Sequence, residues 1–284
     1  MKLGGAVLPA SRIYSFIDKS SQYTLHFIEG QKLIHNLAII HDLKGQGFAY
    51  FRDSILSSIP LVTMLKAKEN LGLYIDSKDP YFLLKIEMNE LGFFRTLLLP
   101  DSFDDFPKTL KGEGRLSRIN FKMNTPYTSI IQIDGFNFGE VVNSILKDSY
   151  QINGRIQCSE ESDQSLFLMQ LPYEPGQSDY ENEKNNFEAK LESLQSDITK
   201  VFKMGTTEEK KIIEFFEEKD FNFLRYKDLD FKCSCSYERM VSGIEGLLRS
   251  TPIDEIFHDD DSIETKCDYC KTYYQIPKSE FLKN

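Results

Sequence analysis

Two close cysteine pairs near the end of the chain constrain its fold more than any other feature. Cys233-Ser234-Cys235 and Cys267-Asp268-Tyr269-Cys270 are separated by 31 residues. A tetrahedral all-thiolate zinc site needs two tight turns, each offering two sulfurs, and enough chain between them to fold back. Iron–sulfur clusters usually use other spacings. Four cysteines fill a tetrahedral site, so the pattern suits a closed ion rather than a catalytic one. Four thiolates around a divalent cation leave negative charge, and Lys232, Arg239, Lys266 and Lys271 lie beside the pairs to offset it. Backbone amides opening a helix after Ser236 are candidate donors to the sulfurs.

Taken from the residues alone, three uses of such a site stay open. It is a staple for a module too small to fold unaided, a zinc ribbon on nucleic acid, or a redox switch in which the thiolates of a pair join once an oxidant strips the metal. Residues 231–284 carry 10 acids and 7 bases, with Asp259, Asp260 and Asp261 in a row, a poor surface for phosphate. The whole chain of 284 residues has a net charge of −10, so nucleic acid or anionic lipid would need a local basic patch.

The fifth cysteine, Cys158, stands alone on a strand candidate and reads as a core residue. An odd count with this clustering fits a reducing compartment with a metal site better than a secreted disulfide framework. Residues 1–10 lack the uninterrupted apolar run of a signal peptide. No stretch of 18 or more apolar residues occurs. The expectation is a cytoplasmic protein. His26, His35, His41 and His258 are scattered and read as structural, and Met64, Met88, Met123 and Met169 as core filler. No phosphate loop, nucleophile elbow or zinc-protease motif is present, so an enzyme reading lacks a site.

Upstream, residues 1–175 nearly balance 20 acids with 18 bases and mix strand and helix patterns. Short β-branched or aromatic runs at 23–28, 71–75, 82–88, 93–99, 114–121, 128–133, 155–158 and 165–171 predict strands. Apolar spacing predicts helices over 31–43, 53–65, where Pro60 threatens a kink, and 138–147. Irregular interspersion of the two points to an α+β fold. After a turn-like stretch around 172–180, residues 176–230 hold 14 acids and 9 bases. Phe187, Leu191, Leu194, Ile198 and Val201 form one stripe on a helix over 181–203. Thr206 and Glu209 have capping-box spacing at the head of a second helix over 207–219. That pattern fits either a two-helix connector packed on the first domain or a marginal element able to detach and bind something apolar. The organisation expected is a 1–175 α+β core domain, a 176–230 helical linker and a small 231–284 zinc-binding domain.

The stretch Asp228-Leu229-Asp230-Phe231-Lys232-Cys233-Ser234-Cys235-Ser236-Tyr237-Glu238-Arg239, with Cys267-Asp268-Tyr269-Cys270 and Tyr273-Tyr274 downstream, resembles the C-terminal signature of the 33 kDa redox-regulated chaperonin family, heat shock protein 33. Weaker echoes follow in the family's order: Leu65-Lys66, Leu110-Lys111-Gly112-Glu113-Gly114, Ser149-Tyr150-Gln151 and Phe167-Leu168-Met169-Gln170-Leu171-Pro172. Ser77-Lys78-Asp79-Pro80 stands where the family has a Gly-Asp-Gly-Pro-like turn. The resemblance implies one zinc held by Cys233, Cys235, Cys267 and Cys270 in the reduced, inactive form. It implies oxidative bridges Cys233–Cys235 and Cys267–Cys270, loss of the metal, and unfolding of the zinc module and the preceding linker. It further implies ATP-independent holding of unfolding client proteins, often as a homodimer. A zinc-stapled adaptor or nucleic-acid module without redox control is the competing expectation.

Overall fold

Every residue of the strand Tyr23–Glu29 is buried, charged Glu29 included. A strand buried along its whole length must be covered on both faces, and here the covers differ. Leu25 and Phe27 face one apolar cluster, with Tyr14, Phe16, Leu166 and Leu168. Ile28 faces another, with Ile13 and Phe167. The alternation is the period of two that a pleated strand imposes.

The structure, a computed structural model, describes residues 8–20, 22–78, 81–100, 110–120, 125–172, 180–205 and 208–282. The chain forms two compact units, Met1–Phe231 and Lys232–Asn284, and it is α+β. The first unit holds strands β1 (Arg12–Asp18), β2 (Tyr23–Glu29), β3 (Glu69–Lys78), β4 (Tyr81–Asn89), β5 (Phe93–Leu99), β6 (Leu110–Asn120), β7 (Tyr127–Phe136), β8 (Gly154–Cys158), β9 (Gln164–Gln170), β10 (Phe221–Asp228) and β11 (Asp230–Phe231). Its helices are α1 (Gln31–Ile40), α2 (Gly45–Ser58), α3 (Phe138–Ser144), α4 (Tyr180–Lys203) and α5 (Glu209–Glu217). One sheet has the order β10-β1-β2-β9-β8 and the other β11-β5-β4-β3-β6-β7.

The larger core lies under the six-stranded sheet. Leu71, Leu73, Ile75, Ile86 and Leu116 meet Leu33, Leu37, Ile55, Leu56, Val141 and Val142 from α1–α3. The far face of the five-stranded sheet is covered by α4 and α5. Phe187, Leu191, Leu194, Ile198 and Val201, the stripe read from the sequence, are all buried there with Ile212 and Phe216. Each such side chain contributes roughly 1.5–3 kcal/mol by leaving water.

All eight strands expected in the first unit form, Phe93–Leu99 with the ends expected and the others with shifted ends. The helix expected over 53–65 begins earlier, at Gly45, and Pro60 ends rather than kinks it: α2 stops at Ser58 and the chain tightens into a 3-10 turn, Ile59–Met64. Strands β1, β10 and β11 were not anticipated. Residues 221–230 lie in the expected helical linker and Phe231 opens the expected zinc-binding domain, yet together they form an edge for both sheets, β10 against β1 and β11 against β5. Between them Leu229 is buried in the larger core. Gly92 makes room for this strap with φ of 87°, since a Cβ there would lie 2.2 Å from the Asp228 carbonyl oxygen. Glu209 pairs with Arg12 of β1 rather than capping its own helix. Thr206 of the expected capping box, Asp79-Pro80, Phe121, Met123 and residues 173–179 lie outside the described residues. No helix among the described residues is long and apolar enough to cross a membrane.

Candidate metal centre

The second unit has little apolar material of its own. Ile244, Phe257 and Ile276 are its buried apolar centre, ringed by half-buried Met240, Val241, Ile253 and Tyr274. A unit of roughly 50 residues with so small a core normally needs a staple. Its elements are α6 (Tyr237–Leu247), α7 (Ile253–Phe257) and a hairpin of β12 (Ser262–Lys266) with β13 (Tyr273–Pro277).

Each cysteine pair is positioned by ordinary local chemistry. Cys233-Ser234-Cys235 runs into Ser236, whose hydroxyl caps α6 by accepting from the Arg239 amide at 3.3 Å. The Arg239 guanidinium turns back and donates to the Ser234 carbonyl at 2.7 Å and hydroxyl at 2.6 Å, pinning the residue between the cysteines. The second pair sits at the tip of the β12–β13 hairpin. There the Lys271 amide donates to the Cys267 carbonyl at 2.8 Å and the Cys267 amide to the Thr272 carbonyl at 2.9 Å. Lys271 closes the turn in the left-handed region, φ 58°.

The two turns bring all four sulfurs within 4.8 Å of one another. Cys233 and Cys267 Sγ are 3.7 Å apart, and Cys235 and Cys270 Sγ 3.3 Å. A zinc–sulfur bond of about 2.3 Å in tetrahedral geometry puts sulfurs about 3.8 Å apart, so the donor set fits that ion. Sulfurs also meet within each motif, Cys233 with Cys235 and Cys267 with Cys270. Among the described residues this is the sole group of three or more His, Cys, Asp or Glu side chains arranged to hold a metal.

The protons of the cluster are unevenly held. Burial, with hydrogen bonds shared among the sulfurs, pushes the Cys233 thiol up to about 12, against donation from the Cys235 amide. Burial also raises Cys267. Burial works against the Cys270 thiolate too, yet hydrogen bonds from Thr272 and from Cys235 and Cys267 outweigh it and bring Cys270 down to about 7. A cluster of neighbouring thiols ionises fully only with a cation among them.

Two hydroxyl partners of the sulfurs escaped sequence reasoning. The Tyr274 hydroxyl lies 3.1 Å from Cys235 Sγ, and Thr272 Oγ1 lies 3.2 Å from Cys270 Sγ. Hydroxyls two and four residues past Cys270 are the only local signal, and it is weak. The amides that reach the sulfurs of Cys233, Cys267 and Cys270 come from Cys235, Tyr269, Cys270 and Thr272, within the turns themselves. Of the expected counter-charges, Arg239 is spent on Ser234, and Lys266 lies over the Tyr273 ring, 5.7 Å from its centre.

The other singled-out residues pack elsewhere. Cys158 contacts Ser57 Oγ at 3.3 Å, and burial raises its thiol to about 11. His26 is buried against Phe167, with Nδ1 2.9 Å from Ser15 Oγ. His41 is buried with Nε2 2.8 Å from Thr96 Oγ1, while His35 and His258 are exposed.

Comparison with known proteins accords with this geometry. A sequence model described as "Hsp33 protein" matches residues 11–277. A "33 kDa chaperonin" of Bacillus pumilus is 32% identical, over 80% of this chain and 81% of the relative. One of Nitrosococcus oceani is 23% identical over 84% and 81%. The crystal structure of the 33 kDa chaperonin of Thermotoga maritima superposes with a TM-score of 0.73 over 97% of both chains, at 14% identity, a likeness of fold. The match runs through both units, from the two-sheet core to the cysteine turns, and the chain belongs to the Hsp33 family of chaperones.

Proposed function

We propose that this chaperone is a redox-regulated, ATP-independent holdase, inactive while reduced. Cys233, Cys235, Cys267 and Cys270 would hold one zinc ion, which supplies a rigid cross-link between the two turns. The observation that carries this reading is the convergence of four sulfurs in a unit whose own core is three buried residues. Such a unit depends on its staple.

Oxidation joins Cys233 to Cys235 and Cys267 to Cys270, the partners nearest in sequence. Four thiolates give up four electrons to two molecules of peroxide, which take up four protons and leave as water. The sulfurs are then no longer donors to a metal, and the second unit loses its cross-link. The chain enters the first unit through Phe231 of β11, two residues before Cys233, so loosening reaches the strap and then α5 and α4. Leaving the sheet, these helices uncover Tyr14, Phe16, Leu25, Phe27, Leu166 and Leu168, an apolar face for unfolded client proteins. The setting is the cytoplasm under oxidative or heat stress. The active form is a homodimer, with neither nucleic acid nor membrane as partner.

The test is thiol and zinc stoichiometry with client aggregation, before and after peroxide at mild heat. Loss of four thiols with one zinc released and aggregation suppressed is the expected result. Zinc expelled with aggregation unchanged would sink the reading.

A further inference from the structure

A polar row crosses the five-stranded sheet on the face that α4 and α5 cover. Asp228 of β10 lies opposite Arg12 of β1, Arg12 opposite Glu29 of β2, and Glu29 opposite Gln164 of β9. The next rows on that face are apolar, Tyr14–Phe27–Leu166 and Phe16–Leu25–Leu168. The polar row grips both helices of the cover. Gln164 Nε2 donates to the Glu29 carboxylate at 3.0 Å and to the Gly205 carbonyl, just past α4, at 2.6 Å. Arg12 Nη1 donates to Glu209 in the first turn of α5.

Arg12 serves the strap as well. Its Nε donates to Asp228 Oδ1 at 2.7 Å, and the guanidinium lies over the Tyr226 ring, 4.3 Å from its centre. Asp228 ends β10, five residues before Cys233. Among the described residues no hydrogen bond or ion pair joins Asp228 to α5 directly. An arginine fork is planar, so a carboxylate held on Nε fixes where Nη1 points. An exposed ion pair taken singly contributes little, whereas charges held in a network of fixed geometry contribute more. The pair Lys19–Asp220, at 2.5 Å, ties the other end of β10 to β1, but both of its side chains are exposed and it stands at the end remote from Cys233.

The geometry points to Arg12 as the latch between strap and cover: its guanidinium holds Glu209 of α5 in place only while Asp228 of the strap holds the guanidinium. This inference rests on the holdase reading and names the side chain through which release passes from the strap to the helices. When the segment leading to Cys233 loosens, Asp228 leaves Arg12. The freed side chain regains its rotamers, and its pair with Glu209, a half-exposed carboxylate, weakens to an ordinary surface contact. The head of α5 then lifts from the row, at the end of the sheet face that is polar and where little apolar burial resists.

The test is hydrogen exchange of the α5 amides in the reduced, zinc-loaded full chain. It compares wild type with Arg12→Met, Glu209→Gln, Asp228→Asn, the double variant Glu209→Gln with Asp228→Asn, and Lys19→Met. Exchange in β3 and β4 reports whether each variant keeps its fold, and the two mild carboxylate variants carry the test if Arg12→Met does not fold. Expected is about tenfold faster α5 exchange in each single variant of the latch, no further gain in the double variant, and wild-type exchange in Lys19→Met. Faster exchange in Asp228→Asn is the result that a purely local role for Arg12 on α5 would not give. Chelating zinc should speed α5 exchange about tenfold in wild type and little in Asp228→Asn, whose latch is already open. Wild-type exchange in Asp228→Asn, effects that simply add in the double variant, an equal gain in Lys19→Met, or an equal response of Asp228→Asn to chelation would overturn the latch. Suppression of client aggregation by wild type after peroxide is followed in parallel. Its absence would count against the holdase reading alone, since exchange is read in the reduced protein without client.

Discussion

Phe216 of α5 places its ring 4.9 Å from that of Phe16 in β1 and 5.7 Å from that of Phe27 in β2. One helical side chain thus ties the cover of the five-stranded sheet to two adjacent inner strands. Replacing it should loosen the cover without touching the cysteines. Phe216→Ala is expected to cost about 3–5 kcal/mol of stability in the first unit and to give the reduced protein partial aggregation-suppressing activity. Client light scattering with the reduced variant decides this, and a destabilised variant that stays inactive until oxidised would contradict the role given to α5.

The Tyr274 hydroxyl supports Cys235 Sγ from 3.1 Å. Such outer hydrogen bonds typically matter 10–100-fold in metal affinity. Tyr274→Phe should bind zinc about tenfold more weakly and release it at lower peroxide, as read by competition with a chromophoric chelator. Equal affinity would mean that the contact is incidental.

Zinc removal should unfold the second unit and leave the central strands of the first folded. Chelation of the reduced protein is expected to abolish hydrogen-exchange protection in α6, β12 and β13, while β2 and β9, buried in the first unit, keep theirs. Retained protection across Ser262–Lys266 would show that the small core suffices without metal.

His26 sets a pH dependence. Burial, with the nearby Arg225 charge, depresses its pKa to about 4 from the ordinary 6.5. The unfolded chain therefore binds a proton between pH 6.5 and 4 that the folded chain refuses. Stability present above pH 6.5 falls as the pH drops through that window, by roughly 2 kcal/mol at pH 5. Urea denaturation at pH 7 and pH 5 should show this loss in wild type and its absence in His26→Gln.

Gly92 holds the strap. Alanine there would place a methyl 2.2 Å from the Asp228 carbonyl oxygen at a φ of 87°. Gly92→Ala should displace β11 and Leu229 at a cost of about 2 kcal/mol or more. Lowered thermal stability with faster proteolysis near residues 228–232 is the expected signature, and an unchanged cleavage pattern would remove the strap from the relay.

Elements carried by their own periodicity were legible. The α4 stripe from Phe187 to Val201 is written at helical spacing and is buried as written. The strands from β2 to β9 announce themselves by β-branched runs between turn residues. The strands that were missed owe their form to distant partners. Arg12 of β1 pairs with Asp228, 216 residues away, and the charged text of β10 resembles a strand only beside β1.

The same division holds at the cysteines. Spacing alone implied a four-sulfur site, because two thiolates per tight turn is a local property of the chain. Distances of 3.7 and 3.3 Å between the motifs, and the hydroxyls of Tyr274 and Thr272, depend on where the β12–β13 hairpin lands against the turn before α6. The sequence by itself determined which residues supply sulfur and which helix faces are apolar, since both are written within one or two turns of chain. Only the tertiary structure decided which sheet face those helices cover and which hydroxyls meet the sulfurs, since each depends on groups far apart in the chain.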